Sequence, residues 1–143
     1  SIGYIDDEEE KFYVVEKKIG EGATSVAYKV VDKRDGREMC KKVLKIDTNK
    51  TTFEDAQNAV KEFEVLRILK HPCICRSIGI NPQEEVESNE EVTTIALFLE
   101  YCPISLKSLL DNKKLDNTMK TKIAVEIAHA MLFRTSCLLK TTQ

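Results

Sequence analysis

The spacing of hydrophobic and polar positions changes character along the chain. From Phe12 to Ile19, β-branched, aromatic and charged residues alternate, and Ser25 to Val31 repeat the habit after a glycine-bearing interval. Two strands around a Gly-rich turn are predicted. Asp32 to Gly36 is polar and ends in the Asp-Gly pair that favours tight hairpins, and Glu38 to Ile46 supplies a third strand. Thr51 and Glu54 have the form of a capping box, and Ala59, Phe63, Leu66 and Leu69 then share one helical face until Pro72 forbids continuation. Cys75 to Ile80 and Thr93 to Leu99 predict two more strands, with the acidic Gln83 to Glu91 stretch expected as a solvated loop between them. Beyond Cys102-Pro103 the period becomes helical: Ser105 can cap a short helix through Leu110, and Asn117 another that carries Ile123, Ile127, Ala130 and Met131.

Composition narrows the function classes. The 143 residues are 42% hydrophobic and 32% charged, which suits one globular domain. Lys plus Arg number 22 against 24 for Asp plus Glu, and Trp is absent, so neither a basic field nor an aromatic stacking surface points to nucleic acid. No apolar run is long enough to cross a bilayer and no charged-then-apolar leader opens the sequence, so a cytoplasmic protein without membrane contact is expected. The cysteines Cys40, Cys73, Cys75, Cys102 and Cys137 are odd in number and scattered, as reduced thiols are. His71-Pro72-Cys73-Ile74-Cys75 lacks a second paired ligand cluster, so no metal site is assigned.

Three clues carry chemistry. Gly20-Glu21-Gly22-Ala23-Thr24-Ser25 joins two predicted strands, so it is a hairpin loop and does not open a helix as a dinucleotide-binding loop would; no GxxxxGK[ST] sequence occurs either. Glycines there let backbone N–H groups approach a ligand's phosphates, although an ordinary flexible hairpin has the same composition. Period-two alternation places Lys42 with Cys40, Leu44 and Ile46, opposite Lys41, Val43 and Lys45. An ammonium on that apolar face needs a partner, unless the register is slipped by one and Lys42 snorkels outward. At 100° per residue Glu62 falls inside the helix's apolar stripe between Leu66 and Leu69, where an unpaired carboxylate is costly. A Lys42–Glu62 ion pair relieves both; the alternative puts Glu62 at the stripe's edge, in water or beside Arg67.

The Gly-rich hairpin, strand lysine, helix glutamate and His71-Pro72, in this order and near this spacing, resemble the small lobe of the protein kinases. The resemblance covers roughly Phe12 to Phe133 and includes Leu97-Phe98-Leu99-Glu100-Tyr101-Cys102, similar to the kinase hinge. It implies an α+β fold: a kinase-like N-lobe with a five-stranded antiparallel sheet and one αC-type helix, then a hinge and one or two helices of an incomplete C-lobe. The expected boundaries are 12–103 for lobe and hinge, 104–133 for the start of the C-lobe, and 134–143 for a divergent tail. The implied ligand is ATP, as Mg-ATP in intact relatives. Its site would comprise Ile19, Gly20, Glu21, Gly22, Ser25, Ala27 and Cys40. Lys42 would contact the α/β-phosphates, Glu62 would hold Lys42, Leu99 would be the gatekeeper, and the backbones of Glu100 and Cys102 would meet adenine.

Departures modify that expectation. Ser25 stands for the family's third glycine, Ala27 for the usual valine and Cys40 for the alanine two before the lysine, which implies a looser grip on ATP. After Met131-Leu132-Phe133 the chain reads Arg134-Thr135-Ser136-Cys137, without a His-Arg-Asp or Asp-Phe-Gly sequence, so no catalytic residue is assigned and little phosphoryl transfer is expected of this stretch alone. The helix bearing Ile123, Ile127, Ala130 and Met131 is expected to expose an apolar face that another protein would cover. The rival class is a pseudokinase-like interaction module that binds a kinase or another protein without catalysis.

Overall fold

The computed structural model describes residues 3–23, 25–46, 53–87, 90–113 and 115–141. In chain order these form α1 (Asp7–Glu10), β1 (Tyr13–Glu21), β2 (Ser25–Asp32), β3 (Glu38–Ile46), α2 (Phe53–Ile68), β4 (Ser77–Glu87), β5 (Glu90–Glu100), α3 (Leu106–Asp111) and α4 (Asn117–Thr141). The strands make one five-stranded antiparallel sheet, ordered β1-β2-β3-β5-β4. This is the kinase-like N-lobe architecture expected, followed by the helices of the C-lobe's start. The sheet order departs from chain order because α2 carries the chain to the far edge, from which the β4–β5 hairpin returns to pair with β3.

The β2–β3 turn forms where the Asp-Gly pair predicts it. Gly36 has φ +76°, a conformation that costs glycine little, and its N–H donates to the Asp32 carbonyl at 2.8 Å. Asp35 reinforces the turn by accepting from the Arg37 N–H at 2.9 Å. The acidic connection behaves otherwise than expected: Gln83–Glu87 and Glu90–Glu91 extend β4 and β5 instead of forming a loop. Cross-strand pairing, including Glu84 with Thr93 and Glu85 with Val92, overrides the weak strand propensity of glutamate.

Each face of the sheet has its own core. One joins Phe63 of α2, fully buried, with Ile80, Ile95 and Leu97, flanked by Leu44, Ile46 and Val60. Burying a phenylalanine of this kind contributes about 1.5–3 kcal/mol. The opposite face joins Val30, Met39, Ala96 and Phe98 with Ile5, and Tyr13 meets Phe98 edge-on at 5.3 Å. Thr51, Glu54, Ala59 and Leu66, which carried the cap and part of the stripe in the sequence, lie outside the described residues or have side chains that do.

Ile5 lies ahead of the expected boundary at Phe12. Its N–H donates to the Ile80 carbonyl at 2.9 Å, and the Ile80 N–H donates to Gly3 at 2.8 Å, so the N-terminal segment runs beside the edge strand. Asp6 caps α1 by accepting from the Glu9 N–H at 2.8 Å. Glu10 pairs with Lys41, and Asn81 Nδ2 donates to Glu10 at 2.6 Å and to Asp7 at 3.1 Å. The acidic run is thus a cover for the outer face of the sheet.

At the other end, Ser105 caps α3 as expected, accepting from the Ser108 N–H at 3.1 Å. The cap of α4 is Asp116 rather than Asn117: its carboxylate accepts from the Met119 N–H at 2.8 Å. α4 continues through the stretch expected as a tail, to Thr141. Its apolar residues divide, with Ala130 buried and Ile123 half-buried, whereas Ile127, Met131 and Leu132 are exposed. The Phe133 ring sits 5.0 Å from His71, joining α4 to the segment after α2.

Candidate functional site

Strand register assembles the candidates. In antiparallel pairs, residues directly opposite one another project to the same face. Ala27 stands opposite Lys42, and Lys42 opposite Leu97; one step along, Lys29 stands opposite Cys40 and Cys40 opposite Leu99. Ala27, Cys40, Lys42 and Leu99 therefore share one face, the face that packs on α2 through Leu97 and Leu44. The register slipped by one is excluded, because Lys41 projects to the other face and pairs with Glu10.

The glycine hairpin closes one end of this face. Gly20 pairs with Ala27 and Glu21 with Val26, Ser25 begins β2 opposite Leu44, and the Gly22 N–H donates to the Ser25 carbonyl at 2.7 Å. A Cβ built on Gly20 would meet nothing nearer than the Ala27 Cβ at 3.9 Å, and one on Gly22 nothing nearer than Ser25 Oγ at 3.7 Å. Internal packing leaves room for side chains at both positions. The glycines therefore keep space open beside the sheet, as a phosphate-bearing ligand requires. Ile19 beside them is 42% exposed, and Glu21 pairs with Lys18.

Two lysines lie on the candidate face, and their surroundings differ. Lys29 is held by Glu16 at 2.8 Å and Glu38 at 2.7 Å, hydrogen bonds that raise its pKa, and it lies 5.2 Å from the Tyr101 ring centre. Lys42 has no carboxylate partner among the described residues. The side chain of Glu62, its expected partner, lies outside them, although its position falls within α2.

The hinge segment follows β5 directly. The Glu100 N–H donates to the Arg76 carbonyl at 2.8 Å, while the Glu100 carbonyl accepts from the Cys75 thiol at 3.4 Å. Burial first, and then the neighbouring Cys102, push the Cys75 thiol up to about 11; burial likewise raises Cys40. Ser77, opposite Leu99, is buried, and its hydroxyl has no hydrogen-bond partner among the described residues. Leaving such a group unpaired costs about 1–3 kcal/mol. Sequence reasoning missed Cys75, Ser77 and Lys29. Their roles depend on which residues stand opposite across the sheet, and no local spacing carries that.

A cavity of about 290 Å³ lies between the segment after α2 and the end of β5, walled by Leu69, His71, Pro72, Arg76 and Glu100. Apart from Glu100, it contains none of the candidates. The residue types on the face beside the glycine hairpin, and not those of this cavity, match the chemistry of a nucleotide: a cation for phosphates and small residues for a flat ring. Among the described residues no group of His, Cys, Asp or Glu has the arrangement of a metal centre. No helix among them is long and apolar enough to cross a membrane.

Comparison with known proteins agrees with this geometry. The chain is 25% identical over 138 residues to the ovarian-specific serine/threonine-protein kinase Lok of Drosophila melanogaster, which covers 93% of this chain and 28% of that protein. It is 31% identical over 110 residues to the serine/threonine-protein kinase ATG1 of Kluyveromyces marxianus, covering 76% of this chain and 12% of that protein. To the G2-specific protein kinase nim-1 of Neurospora crassa it is 30% identical over 95 residues, covering 66% and 10%. The chain therefore spans less than a third of each of these relatives. The family model of the protein kinase domain matches residues 13–135, from the first strand of the sheet into α4. With that span matched and the sheet, helix and hinge in place, the chain belongs to the protein kinase family.

Proposed function

We propose that residues 12–103 form the ATP-binding lobe and hinge of a protein kinase, that 104–133 begin its second lobe, and that 134–143 diverge in sequence from the family. The observation that carries the proposal is the shared face of Ala27, Cys40, Lys42 and Leu99, closed by uncrowded glycines at one end and the hinge at the other. Adenine lies between Ala27 and Cys40 on one side and the hinge backbone of Glu100 and Cys102 on the other. Leu99 limits the depth of the site. Lys42, held by Glu62, meets the α/β-phosphates, and the Ile19–Ser25 hairpin covers them. Magnesium, when bound with ATP, neutralises charge on the phosphates; these 143 residues position the nucleotide and contain no His-Arg-Asp sequence to orient an acceptor.

The reaction of the whole protein is then transfer of the γ-phosphate to a protein hydroxyl, and the names of the Lok and ATG1 relatives favour serine or threonine as acceptor. This stretch tested by itself binds ATP and does not turn it over. A cytoplasmic setting and the absence of nucleic acid as a partner belong to the same proposal. Mg-ATP should raise the melting temperature of the chain, and Lys42→Met should weaken nucleotide binding about ten- to a hundredfold while leaving the far-UV spectrum unchanged. Equal affinity in wild type and variant would remove Lys42 from the site.

One observation favours a second reading, the non-catalytic module. Met131 and Leu132 are 63% and 71% exposed on α4, an apolar surface that a protein partner would cover. A chain that shows no response to Mg-ATP yet binds another protein through α4 would establish the module in place of the nucleotide site.

A further inference from the structure

Where β4 begins, its ladder to β5 is completed by a side chain instead of by backbone. Ser77 stands opposite Leu99, so Arg76 and Glu100 are next in line, and the Glu100 N–H donates to the Arg76 carbonyl at 2.8 Å. In an antiparallel pair of this kind the return bond runs from the Arg76 N–H to the Glu100 carbonyl. Here the Arg76 N–H donates to Glu100 Oε2 at 3.2 Å. The Glu100 carbonyl is left with the Cys75 thiol, 3.4 Å away, as its donor among the described residues. A thiol is a weak donor, and a carbonyl oxygen has two lone pairs. Burial is the main reason that the Cys75 thiol is pushed up to about 11, so at neutral pH it keeps the proton it donates.

We propose that the Glu100 side chain is a positioning group: by holding the Arg76 N–H it reserves the Glu100 carbonyl for the exocyclic amine of a purine, and so makes the site selective for adenine. This role rests on the nucleotide reading above, and adds to it the side chain that keeps the backbone acceptor available. With the carboxylate in place, the Arg76 N–H has a charged acceptor, a stronger partner than a neutral carbonyl. Without it, the same N–H completes the ladder and takes the carbonyl, since a backbone donor pairs with the acceptor beside it. The purine amine then meets an oxygen already bonded by both the amide and the thiol. A purine that carries a carbonyl in place of the amine gains nothing from Glu100 in either case, because two acceptors cannot bond. Glu100 is exposed, so its side chain can be changed without opening the core.

The test titrates the full 143-residue chain with Mg-ATP and with magnesium inosine triphosphate by calorimetry, in wild type, Glu100→Gln and Glu100→Ala. Inosine triphosphate has the same sugar and phosphates and differs only along the base edge that bears the amine. Wild type should prefer ATP by about tenfold, the effect of about one hydrogen bond. Glu100→Gln keeps a side-chain oxygen for the Arg76 N–H and should retain the preference. Glu100→Ala should reduce it to about twofold or less, by weakening ATP alone. A purely structural loss would weaken both nucleotides alike and leave their ratio as it was. An unchanged ratio in Glu100→Ala, an equal collapse in Glu100→Gln, or equal affinities in wild type overturns the proposal and leaves the nucleotide reading standing. Binding of neither nucleotide by wild type overturns both.

Discussion

Among individual residues, neighbouring lysines illustrate what alternation can and cannot convey. The sequence separates Lys41 from Lys42 by face, and the sheet places them so: Lys41 with Glu10 outside, Lys42 with Leu97 inside. Identifying their partners requires contacts between remote segments. Arg34 is a second case, linking Asp32 at 2.8 Å to Glu9 of α1 while its guanidinium lies 4.3 Å from the Phe12 ring centre. Hydrogen bonds from the Arg34 side chain hold the Asp32 and Glu9 carboxyls below their ordinary values of 3.8 and 4.5. Because the folded values are lower, the unfolded chain takes up protons first as pH falls. The stabilisation is therefore complete above the ordinary carboxylate range and is lost as pH drops through the folded values. Urea midpoints should fall on acidification below about pH 4.5, and Arg34→Met should lower the neutral midpoint while flattening the acid limb. Parallel curves for the two proteins would contradict the assignment.

At the scale of elements, the hairpins and α2 were legible because their signals are local: Asp35-Gly36 for a turn, period two for strands, and a stripe ended by Pro72. The N-terminal cover was not. Asp6 to Glu10 is an acidic run ahead of the first expected strand, and only the juxtaposition of Lys41, Asn81 and Arg34 gives α1 its partners. Gly79 records the same packing from the other side, since a Cβ there would lie 2.4 Å from Ile5 Cδ1 and 2.9 Å from the Gly3 carbonyl. Gly79→Ala is expected to cost about 1–3 kcal/mol in urea denaturation through overpacking. In an Ile5→Ala background the same change should cost less by at least about 0.5 kcal/mol, because the nearest clashing atoms, those of the Ile5 side chain, are gone and only the Gly3 carbonyl remains. Strict additivity would mean that Ile5 does not sit over Gly79. The lengths of β4 and β5 were misjudged for a related reason: glutamates at Gln83–Glu91 carry a loop-like composition, and strand pairing decides otherwise.

For the whole molecule, the order β1-β2-β3-β5-β4 follows from α2 lying between β3 and β4, and it brings the glycine hairpin, Lys42 and the hinge to one face. The candidate residues were legible as a set through their kinase-like order, whereas the contact of Cys75 with Glu100 and the burial of the Ser77 hydroxyl depend on the β4–β5 register and were not. The acidic helix partner of Lys42 stays an inference from the helical stripe. Two places compete for a ligand: the face beneath the glycine hairpin, and the cavity of about 290 Å³ walled by Leu69, Arg76 and Glu100. Amide hydrogen exchange, measured with and without Mg-ATP, decides between them directly. Slowed exchange from Gly20 to Ala27 and from Glu100 to Cys102, absent in Lys42→Met, is the expected pattern. Protection centred on Leu69 to Arg76 instead, or no protection anywhere at saturating nucleotide, would contradict the assignment of this lobe as an ATP-binding site.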